Sequence, residues 1–266
     1  MDNTQLYVIT GKGGVGKTSI AIALTKHLNQ IGINALYAPF DQGIPQYVTD
    51  HEIPYFNPSI EDSCEMYIAS KLGSKTIGKW VMKAPFFKSL FQILPSLGHM
   101  ILLGHYIKEL EDNPGLTIIL DSPSTGHARS MFESTHNFKE IFKFGALVED
   151  INKMNNFLYK KNKTKIIIGS IASEMSLQEA SELKSYLGKQ GYQNTAMALN
   201  NCLFTSMQLP ENLEIKKPLF LNTKITNEET TIDQFIGHIK YQIPKVFSLD
   251  PDEVINTIEK HIEGII

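Results

Sequence analysis

The chain has 266 residues, with 25 Lys and Arg against 28 Asp and Glu and a formal net charge of −3. At 42% hydrophobic and 20% charged residues it can fill a sizeable core, and its composition is not that of a disordered chain. The mild acidity gives no electrostatic reason to bind nucleic acid, and the two distant cysteines, Cys64 and Cys202, exclude a disulfide framework or a four-thiolate zinc site within one chain.

The N-terminal MDNTQLYVIT shows neither a basic leader nor a cleavable apolar stretch. The longest apolar runs, such as MILLGHYI at 100–107, fall short of the ~18 residues of a spanning helix. A soluble, cytoplasmic chain without stable membrane insertion is the expectation.

In chain order, QLYVIT at 5–10 predicts a strand and GKGGVGKTS at 11–19 a glycine-rich loop. A helix follows, with Ile20, Leu24, His27, Leu28 and Ile31 at spacings of three and four, and Gly32 marks its stop. NALYA at 34–38 is a second buried strand, so the chain opens as a βαβ unit of a parallel sheet. Further strands are predicted at TIIL 117–120, KIIIG 165–169 and AMALN 196–200, with weaker ones at PLFL 218–221 and YQIP 241–244. A helix over 176–191 presents Leu177, Ala180, Leu183 and Leu187 on one face.

Two bulky stretches between strands read as helical. Residues 60–113 carry Trp80, Phe86, Phe87, Leu90, Phe91, Leu97, Met100 and Leu103, and residues 128–160 carry Met131, Phe132, Phe138, Ile141, Phe142, Phe144, Ile151, Met154 and Phe157. They are expected to form a helical subdomain at the carboxyl edge of the sheet, inserted over about 55–113 and 128–160 of one 1–266 domain. They either fill the core of that subdomain or line an apolar groove.

GKGGVGKT at 11–18 matches G-x-x-x-x-G-K-[ST] and stands between a strand and a helix, where the motif has a mechanism. The backbone N–H groups of Gly13, Gly14, Val15 and Gly16 can turn towards phosphate oxygens because glycines remove Cβ clashes. The first turn of the helix, with Lys17, Thr18 and Ser19, offers unpaired N–H groups and the positive end of a dipole. Lys17 is expected to reach the β- and γ-phosphates, and the Thr18 hydroxyl to ligate Mg²⁺. These residues predict ATP and Mg²⁺ as ligands, and a P-loop NTPase fold: α/β, with a mostly parallel sheet flanked by helices.

Lys12 makes the loop K-G-G-x-G-K-[ST], which resembles the deviant Walker A ATPases, the ParA/MinD and ArsA groups among them. That resemblance implies a nucleotide-sandwich homodimer in which Lys12 reaches the partner's phosphates; the bland alternative is a solvated lysine beside the loop. With Arg129 the only arginine, a lysine acting in trans makes chemical sense. DSPSTGH at 121–127 resembles the switch of the ArsA/tail-anchored-targeting group, and FFKSLFQILPSLGHMILLGHYIKEL resembles the helical stretch before it. The resemblance covers most of residues 5–205. It implies that Asp121 holds Mg²⁺ through water or Thr18, that Gly126 lets the switch backbone approach the γ-phosphate, and that His127 relays nucleotide state into the helical subdomain. As a plain turn histidine, His127 has no such role.

Asp41 falls where the resemblance places a water-orienting carboxylate, but the Pro-Ala-His that follows in the family is missing here. Otherwise Asp41 caps a turn. LNNCLF at 199–204 resembles the family element that reads adenine; Asn200 is the candidate, with Asn201 as its substitute. The family's zinc-binding Cys-x-x-Cys is absent, and so is its cysteine cluster for arsenite, so a metalloid substrate, which wants several thiolates, is disfavoured. The implied function is an ATP-hydrolysing homodimer that handles a protein client, hydrophobic or amphipathic. The rivals are a ParA/MinD-like positioning ATPase and a nucleotide-binding scaffold with weak hydrolysis.

Overall fold

A computed structural model describes residues 4–40, 42–84, 94–124, 126, 129, 131–133, 145–206 and 219–265. Its centre is a six-stranded, all-parallel sheet of β1 (Leu6–Gly11), β2 (Ala35–Pro39), β3 (Thr117–Ser124), β4 (Thr164–Ser170), β5 (Thr195–Cys202) and β6 (Ile239–Pro244). The order across the sheet is β2-β3-β1-β4-β5-β6. The sequence expectation of a parallel α/β sheet therefore holds, and all five confidently placed strand segments, with 241–244, lie in it.

The strands are buried on both faces, and their alternation sorts side chains into two cores. Leu6 and Val8 of β1, Ile118 and Leu120 of β3, and Ile166 and Ile168 of β4 point to one face. Tyr7, Ile9, Ile119 and Ile167 point to the other. The second face is covered by α1 (Lys17–Gln30) and α10 (Pro251–Ile262). Ala21 and Ala23 beside Ile20, Leu24 and Leu28 let α1 be buried on more than one stripe between sheet and α10. Ile31, expected on that stripe, lies past the helix end and is 52% exposed. Gly32 follows at φ +84°, the left-handed geometry that favours glycine at a helix stop.

The first face carries α5 (Pro95–Asp112), α6 (Ala146–Leu158) and α7 (Glu174–Lys189). Leu97, Met100, Leu103, Tyr106, Ile151, Met154 and Phe157 are buried in the same core as the strands, so these two bulky helices pack directly on the sheet. Of the stretch before them, α2 (Gln46–Asp50) is one short helix, α3 (Ile60–Leu72) packs on α5, and α4 (Lys75–Lys83) packs on α3. Trp80 of α4 is 74% exposed. The bulky set thus divides: the α5 and α6 members described here are core, while α3 and α4 form an outer layer. Phe86, Phe87, Leu90, Phe91, Phe138, Ile141, Phe142 and Phe144 lie outside the described residues.

The expected strand at 218–221 is overturned. Leu219–Phe235 is a helix, α9, whose first two residues are 83% and 72% exposed. β6 takes the position beside β5, and the short apolar run, which suits a buried strand or a helix alike, continues here as a helix. α9 is instead held by Glu228, whose buried carboxylate accepts the backbone N–H groups of Leu203 (2.8 Å) and Phe204 (3.1 Å) at the start of α8 (Leu203–Ser206). Among the described residues, no helix is long and apolar enough to cross a membrane.

Candidate functional site

In this strand order β1 has β3 on one side and β4 on the other, and the chain crosses between them. Such a switch point leaves a crevice beyond the carboxyl ends of the strands, where α/β sheets bind ligands. Lys12–Gly16 forms the loop at that place, joining β1 to α1.

The loop's glycines answer to specific geometry. Gly13 and Gly14 form its exposed part, with Gly14 at φ +81°. Gly16, which precedes α1, is at φ +86°, and a Cβ there would stand 2.2 Å from Asn200 Nδ2. Gly11, at φ +142°, faces Gly169 of β4 so closely that a Cβ would meet its carbonyl oxygen at 2.2 Å. Val15 is the loop's anchor, 1% exposed and packed beside Gly169. The first turn of α1 has no side-chain cap and no acidic residue. Ser59 caps α3 and Asp250 caps α10, each also with acidic residues in the first turn, whereas α2 and α5 start, like α1, without a side-chain cap or an acidic residue. The start of α1 thus keeps its N–H donors and its positive dipole end for an anion.

Asp121 lies near the end of the buried part of β3, one residue before buried Ser122, and is paired in register with Ile9 of β1. Thr18 Oγ1 donates to Asp121 Oδ2 at 2.7 Å, and Tyr37 Oη donates to the same oxygen at 2.9 Å. The three meet because Tyr37, Ile119 and Asp121 project to the α1 face: Tyr37 is in register with Ile119, two residues before Asp121. Asp121 Oδ1 is buried and has no hydrogen-bond partner among the described residues. Burial raises the Asp121 pKa, opposed by the bonds from Thr18 and Tyr37 and by the charge of Lys17. Burial lowers that of Lys17, opposed by Asp121. An orphaned carboxylate oxygen beside a hydroxyl oxygen suits a hard cation with oxygen ligands, so the residues fit Mg²⁺.

Lys17 Nζ arches back and donates to Lys12 O at 3.2 Å. Lys12 Nζ pairs with Glu179 Oε1 of α7 at 2.6 Å, both side chains more than a third exposed. Ser19 sits in the first turn of α1 after Thr18. Asn200 is 7% exposed and its Nδ2 donates to Val15 O at 2.9 Å, so this amide braces the loop. Asn201, beside it, is exposed at φ +57°. Gly126 is exposed, and a Cβ there would meet nothing within 4 Å among the described residues. Asp41 and His127 lie outside the described residues.

Lys12, Lys17, Thr18, Asp121 and Asn200 are therefore brought together around one loop. Tyr37, Glu179 and Gly169 belong to the same place and were not singled out by the sequence. Tyr37 looks like any strand aromatic, and Glu179 like a solvated helix residue. KIIIG does end in glycine, but only the β1–β4 register gives that residue a task. No protein-family model matches the chain, and no curated protein matches it.

Proposed function

We propose that the chain is an ATPase of the deviant P-loop kind, resembling the ArsA/tail-anchored-targeting group and working as a nucleotide-switched homodimer on a protein client. One observation carries the reading: Thr18 and Tyr37 converge on one oxygen of a buried Asp121 whose other oxygen has no partner among the described residues, at the mouth of an uncapped helix behind a glycine-rich loop. Backbone N–H groups from Gly13 to Thr18 would surround the phosphates, and Lys17 would leave the Lys12 carbonyl for a phosphate oxygen. Bound Mg²⁺, held by Thr18 and Asp121, would supply charge neutralisation on the phosphate oxygens. Lys12, half-exposed and held by a single ion pair, can release Glu179 and reach a second copy. Asp41 would align the attacking water, and Gly126 and His127 would follow nucleotide state.

The Lys12–Glu179 pair within one chain also supports a second reading, a nucleotide-binding scaffold that hydrolyses slowly. Single-turnover ATP hydrolysis separates them. On the first reading Lys17→Ala loses nucleotide binding, and Asp41→Asn keeps binding but slows turnover roughly 10²-fold or more. A wild-type chain that binds ATP with Mg²⁺ and does not turn it over would establish the scaffold. An unchanged rate in Lys17→Ala would end the P-loop reading.

A further inference from the structure

Two donors meet one oxygen near the carboxyl end of β3. Thr18 Oγ1 and Tyr37 Oη both donate to Asp121 Oδ2, at 2.7 Å and 2.9 Å. The loop motif accounts for Thr18, and nothing in it calls for Tyr37. We propose that Tyr37 is a positioning residue that sets metal specificity: by occupying Oδ2 it leaves Asp121 a single oxygen for a cation, and so makes the site select Mg²⁺ over Ca²⁺. The proposal rests on the nucleotide reading above and names the residue behind its metal preference.

The sheet places the hydroxyl. Tyr37 is paired in register with Ile119, so it starts two residues short of Asp121 on the same face. The length of the ring spans that offset, whereas the hydroxyl of a Ser or Thr, attached at Cβ, would fall short. The ring is also confined. Tyr37 is 1% exposed, within the core beneath α1. β2 is an edge strand, yet its outer side is tied at this residue: Tyr37 N–H donates to Pro54 O and Tyr37 O accepts the Phe56 N–H, both at 2.9 Å.

The acceptor's chemistry then decides the metal. A carboxylate that holds a cation is ionised and only accepts, and tyrosine keeps its proton at neutral pH, so Tyr37 is the donor. Each carboxylate oxygen offers about two lone-pair sites, and Thr18 and Tyr37 fill those of Oδ2. Oδ1 is buried with no partner among the described residues. Asp121 therefore presents one oxygen rather than two. Ca²⁺ takes roughly six to eight oxygens and gains by binding a carboxylate through both of its own. Mg²⁺ keeps several waters and demands near-octahedral order, so one oxygen on a carboxylate that does not turn serves it better. Without the Tyr37 hydroxyl, Oδ2 has a free site and the carboxylate is held by Thr18 alone. Mg²⁺ then loses a fixed ligand, and Ca²⁺ gains access to a second oxygen.

The test reads binding rather than turnover. A fluorescent ATP analogue is titrated into the chain in excess Mg²⁺, in excess Ca²⁺ and in EDTA. The wild type should bind it most tightly with Mg²⁺. Tyr37→Phe keeps the ring that fills the core, and Oδ2 keeps Thr18, so the variant should fold and match the wild type in EDTA. With Mg²⁺ it should bind about ten-fold more weakly, the low end of the loss for groups that orient a metal's ligand. With Ca²⁺ it should bind no more weakly than the wild type, so the preference for Mg²⁺ falls at least about ten-fold. Because Tyr37 acts through Asp121, adding Tyr37→Phe to Asp121→Asn should leave the preference where Asp121→Asn alone puts it. Equal weakening in all three conditions, or with both metals, would make Tyr37 a residue of the fold only and overturn the proposal. An unchanged ratio would overturn it as well, and so would a further fall in the double variant or a wild type that binds equally with Mg²⁺ and Ca²⁺. Each of these results leaves the nucleotide reading standing. A wild type that binds no nucleotide in any of the three conditions ends that reading and this proposal together.

Discussion

Gly16→Ala is a severe test of how the phosphate loop is built, because two costs can be separated there. The first is backbone. At φ +86° an L-residue suffers a Cβ–carbonyl clash of about 1–2 kcal/mol. The second is contact. The new methyl would stand 2.2 Å from Asn200 Nδ2, so the amide must leave Val15 O, a 2.9 Å bond. Depriving that carbonyl of its buried partner costs about 1–3 kcal/mol. Gly16→Ala should therefore destabilise the chain by about 2–5 kcal/mol. Asn200→Ala alone pays only the contact cost, about 1–3 kcal/mol. In the double variant the methyl occupies space vacated by the amide, and the contact cost is incurred once. The double loss should then fall short of the sum of the single losses by about 1–3 kcal/mol, within the range of directly touching pairs. Urea denaturation of the four proteins at pH 7 measures this. Strict additivity would show that Gly16 and Asn200 do not touch, and that glycine is needed there for its φ or for ligand approach alone.

Asp121 sets a pH trend. Burial raises its folded pKa above the unfolded value, so its acid form stabilises the fold at low pH, and that contribution is lost as pH rises through the folded pKa. Asp121→Asn does not titrate there, so without nucleotide its stability relative to wild type should rise between about pH 4 and pH 7, as denaturation midpoints would show; a flat or falling difference would refute the assignment. Glu179→Gln breaks a pair whose side chains are 38% and 39% exposed, so it should change stability by under about 0.5 kcal/mol. If Lys12 serves a second copy, the same variant should raise the nucleotide-dependent dimer fraction in sedimentation, and an unchanged fraction would mean that the pair restrains nothing.

Local sequence determined the parallel-sheet class and the place of the loop. Buried parallel strands read as short apolar runs whichever neighbours they acquire, and 5–10, 34–38, 117–120, 165–169 and 196–200 all became strands. The loop motif was legible because positive-φ glycines and an uncapped helix start are demands that act within a few residues, as Gly14 and Gly16 show. The segment at 218–221 was not legible, because so short an apolar run suits a buried strand and a helix alike, and only the tertiary structure shows Leu219–Phe235 as a helix tied to the start of α8 through Glu228. The same holds for side chains that act at long range. Tyr37 meets Asp121 across 84 positions, Asn200 meets Val15 across 185, and Lys12 meets Glu179 across 167. No pattern of period two or 3.6 records such pairs; they follow from the order β2-β3-β1-β4-β5-β6, which places the ends of distant strands around one helix start.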